Sequence, residues 1–253
     1  RHMYRTADPM AELLQRVLDG GGVVRSAVLV AEGIPERVIR AAVDAGVRVR
    51  RRWVALPGAD PHRVAAARAG VVVACVSRAG RLGLWTLYEG VPHVAAPPRS
   101  GRVDVSTAHV HKAAPVVARP PDALEDGIEN TLDLVAGCQP EDVALAIIES
   151  ALRQNLVSRP VLERLPICAA LRRLLAVASP FSDSGLETFV PRRLRWMRLP
   201  ITPQAWIAGR PVDFLIGERL VLQIDGGHHV GPQREADILH DAQLMLMGYH
   251  VIR

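Results

Sequence analysis

The stretch PVDFLIGERLVLQID, residues 211–225, constrains the fold of this chain more than any other. Two apolar runs flank a short segment that holds Gly217, and glycine between such runs marks a hairpin turn. A strand over 211–216, a turn over 217–219 and a second strand over 220–225 follow. Centring the turn on Glu218 puts Asp213 opposite Gln223. Cross-strand partners project to one face. Side chains also alternate along a strand, so Asp225 shares that face two residues beyond Gln223. Val212, Phe214 and Ile216 point the other way, toward a core, with Leu220, Leu222 and Ile224. Two aspartates among apolar strands are costly unless hydrated, paired or metal-bound.

Helical signals flank the hairpin. Ser184 and Glu187 have capping-box spacing, which predicts a helix starting there. Phe189, Val190, Leu194 and Met197 would face inward, and Arg192, Arg193, Arg195 and Arg198 outward. After the hairpin, Gly226 and Gly227 bend the chain away and His228 and His229 follow. A second helix is expected over 234–247, with Ile238, Ala242, Met245 and Leu246 inside. Arg234, Asp237 and Asp241 would form one polar stripe, at i, i+3 and i+7. Gly248 ends that helix, and residues 249–252 read as a strand. Glu187 also has a plain reading as a helix cap. Asp237 and Asp241 have one as solvated groups or partners of Arg234.

The chain start is helical too. Residues 10–18 carry Leu13, Leu14, Val17 and Leu18 on one side. The glycines at 20–22 follow a helix and lack the spacing of a phosphate loop. A second helix is expected over 25–31. Pro35 suits the first position of a third, with Val38, Ile39, Ala42 and Val43 inward and Arg37 and Arg40 outward. Residues 47–56 alternate apolar and basic groups around Arg50, Arg51 and Arg52. Helix, helix, turn, helix and basic β-wing is the order of a winged helix. The arginines on its third helix and wing favour DNA binding. The alternative is a small bundle with a solvated arginine rim.

Between these ends, residues 62–69 read as a helix and 71–77 (VVVACVS) as a buried strand. Short strands are expected around 84–86, 93–96 and 103–105. Helices are expected from Asp122 to Gly137, over 141–156, from Ser158, and around Arg172. His109 and His111 would share one face of a strand, but two histidines without a third donor are usually surface residues. This stretch reads as a supporting domain without chemistry. The expected organisation is thus α/β (α+β) with a winged helix over 4–58, a mixed middle domain over 59–178 and a C-terminal α-β-β-α-β core over 179–253.

Composition narrows the setting. Apolar residues make up 49 % of the 253, enough for sizeable cores. The net charge is +5, and every basic residue but Lys112 among the Lys and Arg is an arginine, whose planar fork suits phosphate. Cys75, Cys138 and Cys168 are far apart, which argues against a disulfide framework and for a reducing cytoplasm. With no CxxC pair, no structural zinc site is expected. No run reaches membrane-spanning length, so no membrane partner is expected.

The C-terminal order, with an aspartate on the first strand and polar residues at i and i+2 on the next, resembles the PD-(D/E)XK nuclease superfamily. It resembles more closely the Vsr-like relatives, related to very-short-patch-repair endonucleases. The matching motifs are Glu187, PVDF at 211–214, LQIDGGHHV at 222–230 and READILHDAQLMLMGYHVIR at 234–253. The segment RSAVLVAEGIPERVIRAAVDAGVRVRRRWVAL resembles the N-terminal winged helix of AbiEi-type antitoxins. The resemblance implies a restriction-endonuclease-like core that cuts DNA (duplex, mismatched or single-stranded) in repair or defence. It implies Mg²⁺ or Mn²⁺ held by Asp213, Asp225 and Gln223, with Asp225 alternatively standing where many members carry lysine. Glu187 would add a ligand through water. His228 or His229 would act as general base or stabilise the leaving group, and Asp237 and Asp241 would orient them. Gln223 stands where the superfamily usually has an acid, so a non-catalytic, antitoxin-like DNA-binding regulator is the alternative.

Overall fold

The structure, a computed structural model, describes residues 8–44, 48–50, 52–87, 90–103, 105, 107–178, 185–224 and 232–253. The chain divides into two compact units, Arg1–Phe181 and Ser182–Arg253. Each mixes helices with small sheets. Among the described residues no helix is long and apolar enough to cross a membrane.

In the first unit, Asp8 caps α1 (Pro9–Asp19) by accepting from the Met10 N–H at 3.0 Å, with Pro9 in the first turn. Gly21 and Gly22 then take φ of 78° and 80°, a region that glycine enters at no steric cost, and turn the chain into β1 (Val23–Arg25). β1 is not expected from the sequence, because three residues are too few to show an alternation. Next come α2 (Ser26–Ala31), α3 (Glu36–Asp44), β2 (Arg48–Arg50) and β3 (Trp53–Ala55). β3 lies between β1 and β2 and is antiparallel to both. Leu13, Val17, Leu29, Ile34, Ile39, Ala42 and Val54 form the core here. Each fully buried leucine contributes roughly 1.5–3 kcal/mol relative to exposure.

The unit continues with α4 (Pro61–Ala69), β4 (Val72–Val73), α5 (Cys75–Arg81), β5 (His93–Ala95) and β6 (His109–His111). α6 (Ile128–Cys138), α7 (Glu141–Arg153), α8 (Arg159–Glu163) and α9 (Ala169–Val177) follow. β5 is central in its sheet, antiparallel to β4 and parallel to β6. The expected strand over 71–77 is corrected: it stops at Val73, and Cys75 opens a helix. A run that is buried on all sides has no period to separate strand from helix. Residues 84–86 are not a strand, and neither Val103 nor Val105 lies in one. α6 runs through Gly137 rather than stopping there, and α7 is buried at every position from Val143 to Leu152. Val23 and Ala55 pack in one cluster with Ala66, Val71, Val94 and Leu124, so the first two expected regions share a core.

The second unit contains α10 (Gly185–Arg193), a 3-10 turn (Arg195–Met197), β7 (Ile201–Ile207), β8 (Arg210–Ile216), β9 (Leu220–Leu222), α11 (Pro232–Leu246) and β10 (His250–Ile252). The sheet order is β10-β9-β8-β7, antiparallel except for the parallel β9–β10 pair. β7 is a strand the sequence reading missed. It is an edge strand with Pro203 in it and mostly exposed side chains, so no buried face shows as a period. The hairpin register is as expected: Ile216 pairs Leu220, Leu215 pairs Val221 and Phe214 pairs Leu222. One further step sets Asp213 against Gln223.

Two expectations about faces are corrected. Val212, Phe214 and Ile216 are buried, but Leu220, Leu222 and Ile224 are only half-buried, while Val221 on the opposite face is fully buried. The sheet therefore buries side chains on both faces. α11 does not turn Ile238, Ala242, Met245 and Leu246 inward; all four are exposed, Leu246 at 91 %. Among its described side chains, those of His240, Asp241 and Leu244 are buried. Hydrogen bonds make that polar face possible. His240 Nε2–H donates to the Ile207 carbonyl at 3.1 Å, and Arg253 Nε donates to Asp241 Oδ2 at 2.5 Å.

Candidate functional site

Two groups of side chains could carry chemistry, one in each unit. In the second unit, β8 carries Asp213 to the point where its pairing with β9 ends. The Asp213 N–H donates to Gln223 Oε1 at 3.3 Å, and the Ile224 N–H donates to Asp213 Oδ2 at 2.6 Å. The Gln223 N–H donates to the Ile252 carbonyl at 2.8 Å, which holds it beside β10. The two side chains thus continue the β8–β9 ladder where backbone pairing stops. The geometry brings Asp213 and Gln223 together, as the register predicted. Asp225, His228 and His229 lie outside the described residues. Glu187 lies in α10, and its side chain is likewise outside them.

The flanking polar residues have other partners than expected. Asp241 is taken by Arg253, and Asp237 lies 4.0 Å from Arg210 on β8. Arg193 is exposed, with its guanidinium 4.9 Å over the Phe189 ring, whereas Arg192 is half-buried. In the first unit Arg37 and Arg40 are exposed on α3. Arg52 is exposed in the β2–β3 turn at φ 70°. Arg40 and Arg52 line one groove of about 620 Å³, together with Ser26, Val30 and Glu36. The side chains of Arg50 and Arg51 are outside the described residues.

The second group was missed by sequence reasoning. Cys75 opens α5, His93 opens β5, His111 closes β6 and Cys138 closes α6. One donor atom from each lies within 4.8 Å of the others. His93 Nδ1 is 3.2 Å from His111 Nε2 and 3.7 Å from Cys138 Sγ. Backbone bonds fix the approach: the Ala74 N–H donates to the His93 carbonyl at 3.0 Å, and the Ala96 N–H to the His111 carbonyl at 2.9 Å. The His93 N–H donates to Ser77 Oγ at 2.8 Å. Cys75 is fully buried and His93 nearly so.

Burial, aided by the neighbouring His109, pushes His93 and His111 down to about 4, so both imidazoles are neutral at physiological pH. Burial likewise raises the Cys75 thiol, and Cys138 adds to that. His109 and His111 do share a face, with rings 4.6 Å apart, but only His111 joins the four-donor group. This stretch, expected to be without chemistry, brings together four donors that could hold a metal ion. The His109–His111 pair was the one visible sign. The other donors come from three separate elements, so no short spacing announces them.

No family model matches the chain, and no curated protein matches it.

Proposed function

We propose that the chain is a DNA-acting protein whose second unit is a restriction-endonuclease-like, metal-dependent endonuclease core. One observation carries the reading. A helix, three antiparallel strands, a helix and a strand parallel to the third set Asp213 and Gln223 side by side at the ends of the two central strands. The sequence puts Asp225 two residues further on. Asp213, Asp225 and the Gln223 carbonyl are hard oxygen donors that suit Mg²⁺ or Mn²⁺, which would supply an activated water and neutralise phosphoryl charge. Asp213 and Gln223 hold each other's strand ends, which fixes their spacing.

The first unit supports the same reading. Its order α1-β1-α2-α3-β2-β3, with β3 between β1 and β2, is that of a winged helix, with Arg37 and Arg40 on the third helix and Arg52 on the wing. Those guanidiniums suit backbone phosphates.

A second reading, a DNA-binding regulator with an inactive core, draws on one specific feature. Gln223 brings no charge, and one Asp213 oxygen is committed to the Ile224 amide. Cleavage of plasmid, mismatched and single-stranded DNA with Mg²⁺ or Mn²⁺ separates the two. The nuclease reading expects cleavage by the wild type, loss in Asp213→Ala and gain in Gln223→Glu. If the wild type and Gln223→Glu are both inert while salt-sensitive DNA binding persists, the regulator reading takes its place.

A further inference from the structure

We propose that Cys75, His93, His111 and Cys138 form a closed tetrahedral zinc site that staples α5, β5, β6 and α6 together. The site lies in the first unit and does not depend on the nuclease reading.

The donor set selects the metal. Thiolate and imidazole together, in a four-coordinate arrangement, suit Zn²⁺ and disfavour Mg²⁺ or Ca²⁺, which take oxygen ligands. Tetrahedral zinc with Zn–N of about 2.0–2.1 Å and Zn–S of about 2.3 Å sets nitrogen donors roughly 3.4 Å apart and nitrogen from sulfur roughly 3.6 Å apart. The observed separations are 3.2 Å for the two nitrogens and 3.7 Å for His93 Nδ1 to Cys138 Sγ. Two thiolates and two neutral imidazoles around a divalent ion sum to zero charge, which fits a place where Cys75 and His93 are buried.

The surroundings are those of a built site. Gln139 Nε2 donates to Cys138 Sγ at 3.4 Å, an outer contact that favours a thiolate. Cys75 has φ of 52°, a left-handed conformation that a cysteine rarely adopts and that aims its side chain into the group. His93 also borders a cavity of about 400 Å³ with His62, Ser77 and Arg81. Four protein donors leave no open position, so the role is structural rather than catalytic. The need is clear from the sheet: β4, β5 and β6 have two or three residues each, too short to hold together by ladder bonds alone.

The test uses the full chain, purified without chelators. Metal analysis should find about one zinc per chain. Exchange with Co²⁺ should give the intense red-region d–d bands of a tetrahedral S₂N₂ site, with thiolate charge-transfer bands in the near ultraviolet. Cys138→Ser and His111→Ala should lose both signals, while Cys168→Ala and His109→Ala keep them. Alkylation followed by peptide mapping covers the case of a variant that does not fold. In the wild type, Cys75 and Cys138 should react only after a strong chelator is added, and Cys168 should not respond to it. Chain that holds no zinc and gives no tetrahedral Co²⁺ spectrum overturns the proposal. So does full zinc retention in Cys138→Ser, and iron at these residues overturns the choice of metal.

Discussion

The Cys/His group of the first unit and the Asp213–Gln223 pair of the second solve opposite problems. The first gathers thiols and imidazoles from the ends of four elements, two of them buried and two half-buried, with His93 Nδ1 3.2 Å from His111 Nε2 and 3.7 Å from Cys138 Sγ. The second places oxygen donors at the ends of the two central strands of a sheet, where each already has a partner: Asp213 takes the Ile224 amide and Gln223 takes the Asp213 amide. In the first group the donor atoms meet one another; in the second they meet strand backbone, which admits a structural explanation beside the chemical one. Donor atoms in proximity therefore weigh differently according to what else holds them.

The largest expected effect follows from loss of the zinc. Structural zinc is worth about 10 kcal/mol or more in small domains. Cys138→Ser, or metal stripping, should cost the first unit of the order of 5 kcal/mol, a fall of roughly 10–20 °C in Tm by calorimetry. An unchanged Tm would put both groups on the same footing. Next, Leu244→Ala removes a fully buried side chain of the second unit and should cost about 2–5 kcal/mol. The Co²⁺ spectrum should survive it, since Leu244 belongs to the other compact unit; loss of the spectrum would tie the two groups together. Asp213→Ala should lower Mg²⁺-dependent cleavage by about 10²–10³-fold if the carboxylate meets the ion. A change in stability without a change in cleavage would leave Asp213 a strand clip.

The smallest effect concerns the ion pairs beside the Cys/His group. Arg81 meets Asp60 at 2.5 Å and Glu125 at 2.7 Å, joining α4 to α5. Burial would raise the Asp60 carboxyl, but bonds from Arg81 and from the His62 and Arg63 amides outweigh it and hold it below 3.8. A depressed carboxylate adds stability above its unfolded value and loses it as pH falls through the folded one. Wild-type stability should therefore decline on acidification below about pH 4 more steeply than that of Arg81→Gln, as followed by urea unfolding across that range.

Legibility followed period and length. The hairpin from Arg210 to Leu222 was readable because a strand alternates every two residues and a glycine turn pins the register. α3 was readable from its apolar stripe and Pro35. β7 was not, because an exposed edge strand with a proline shows no buried face. α11 was placed correctly and turned the wrong way. Its apolar spacing points Ile238, Ala242, Met245 and Leu246 inward, yet His240 and Asp241 are buried instead, each with a specific partner that no hydrophobic pattern encodes. Of the two sites, the carboxylate side followed from local register. The Cys/His group depends on how β5 and β6 pair and where α5 and α6 end, and a strand mistaken at Cys75 hid the first donor.

The left-handed backbone at Cys75 has an evolutionary corollary. Glycine would relax φ 52° but delete the sulfur, and asparagine would tolerate it while offering an oxygen instead. A lineage that abandoned the metal would drift to one of those two here before anywhere else in the quartet. Position 75 should thus act as a marker, cysteine wherever the staple is kept and glycine or asparagine soon after it is lost.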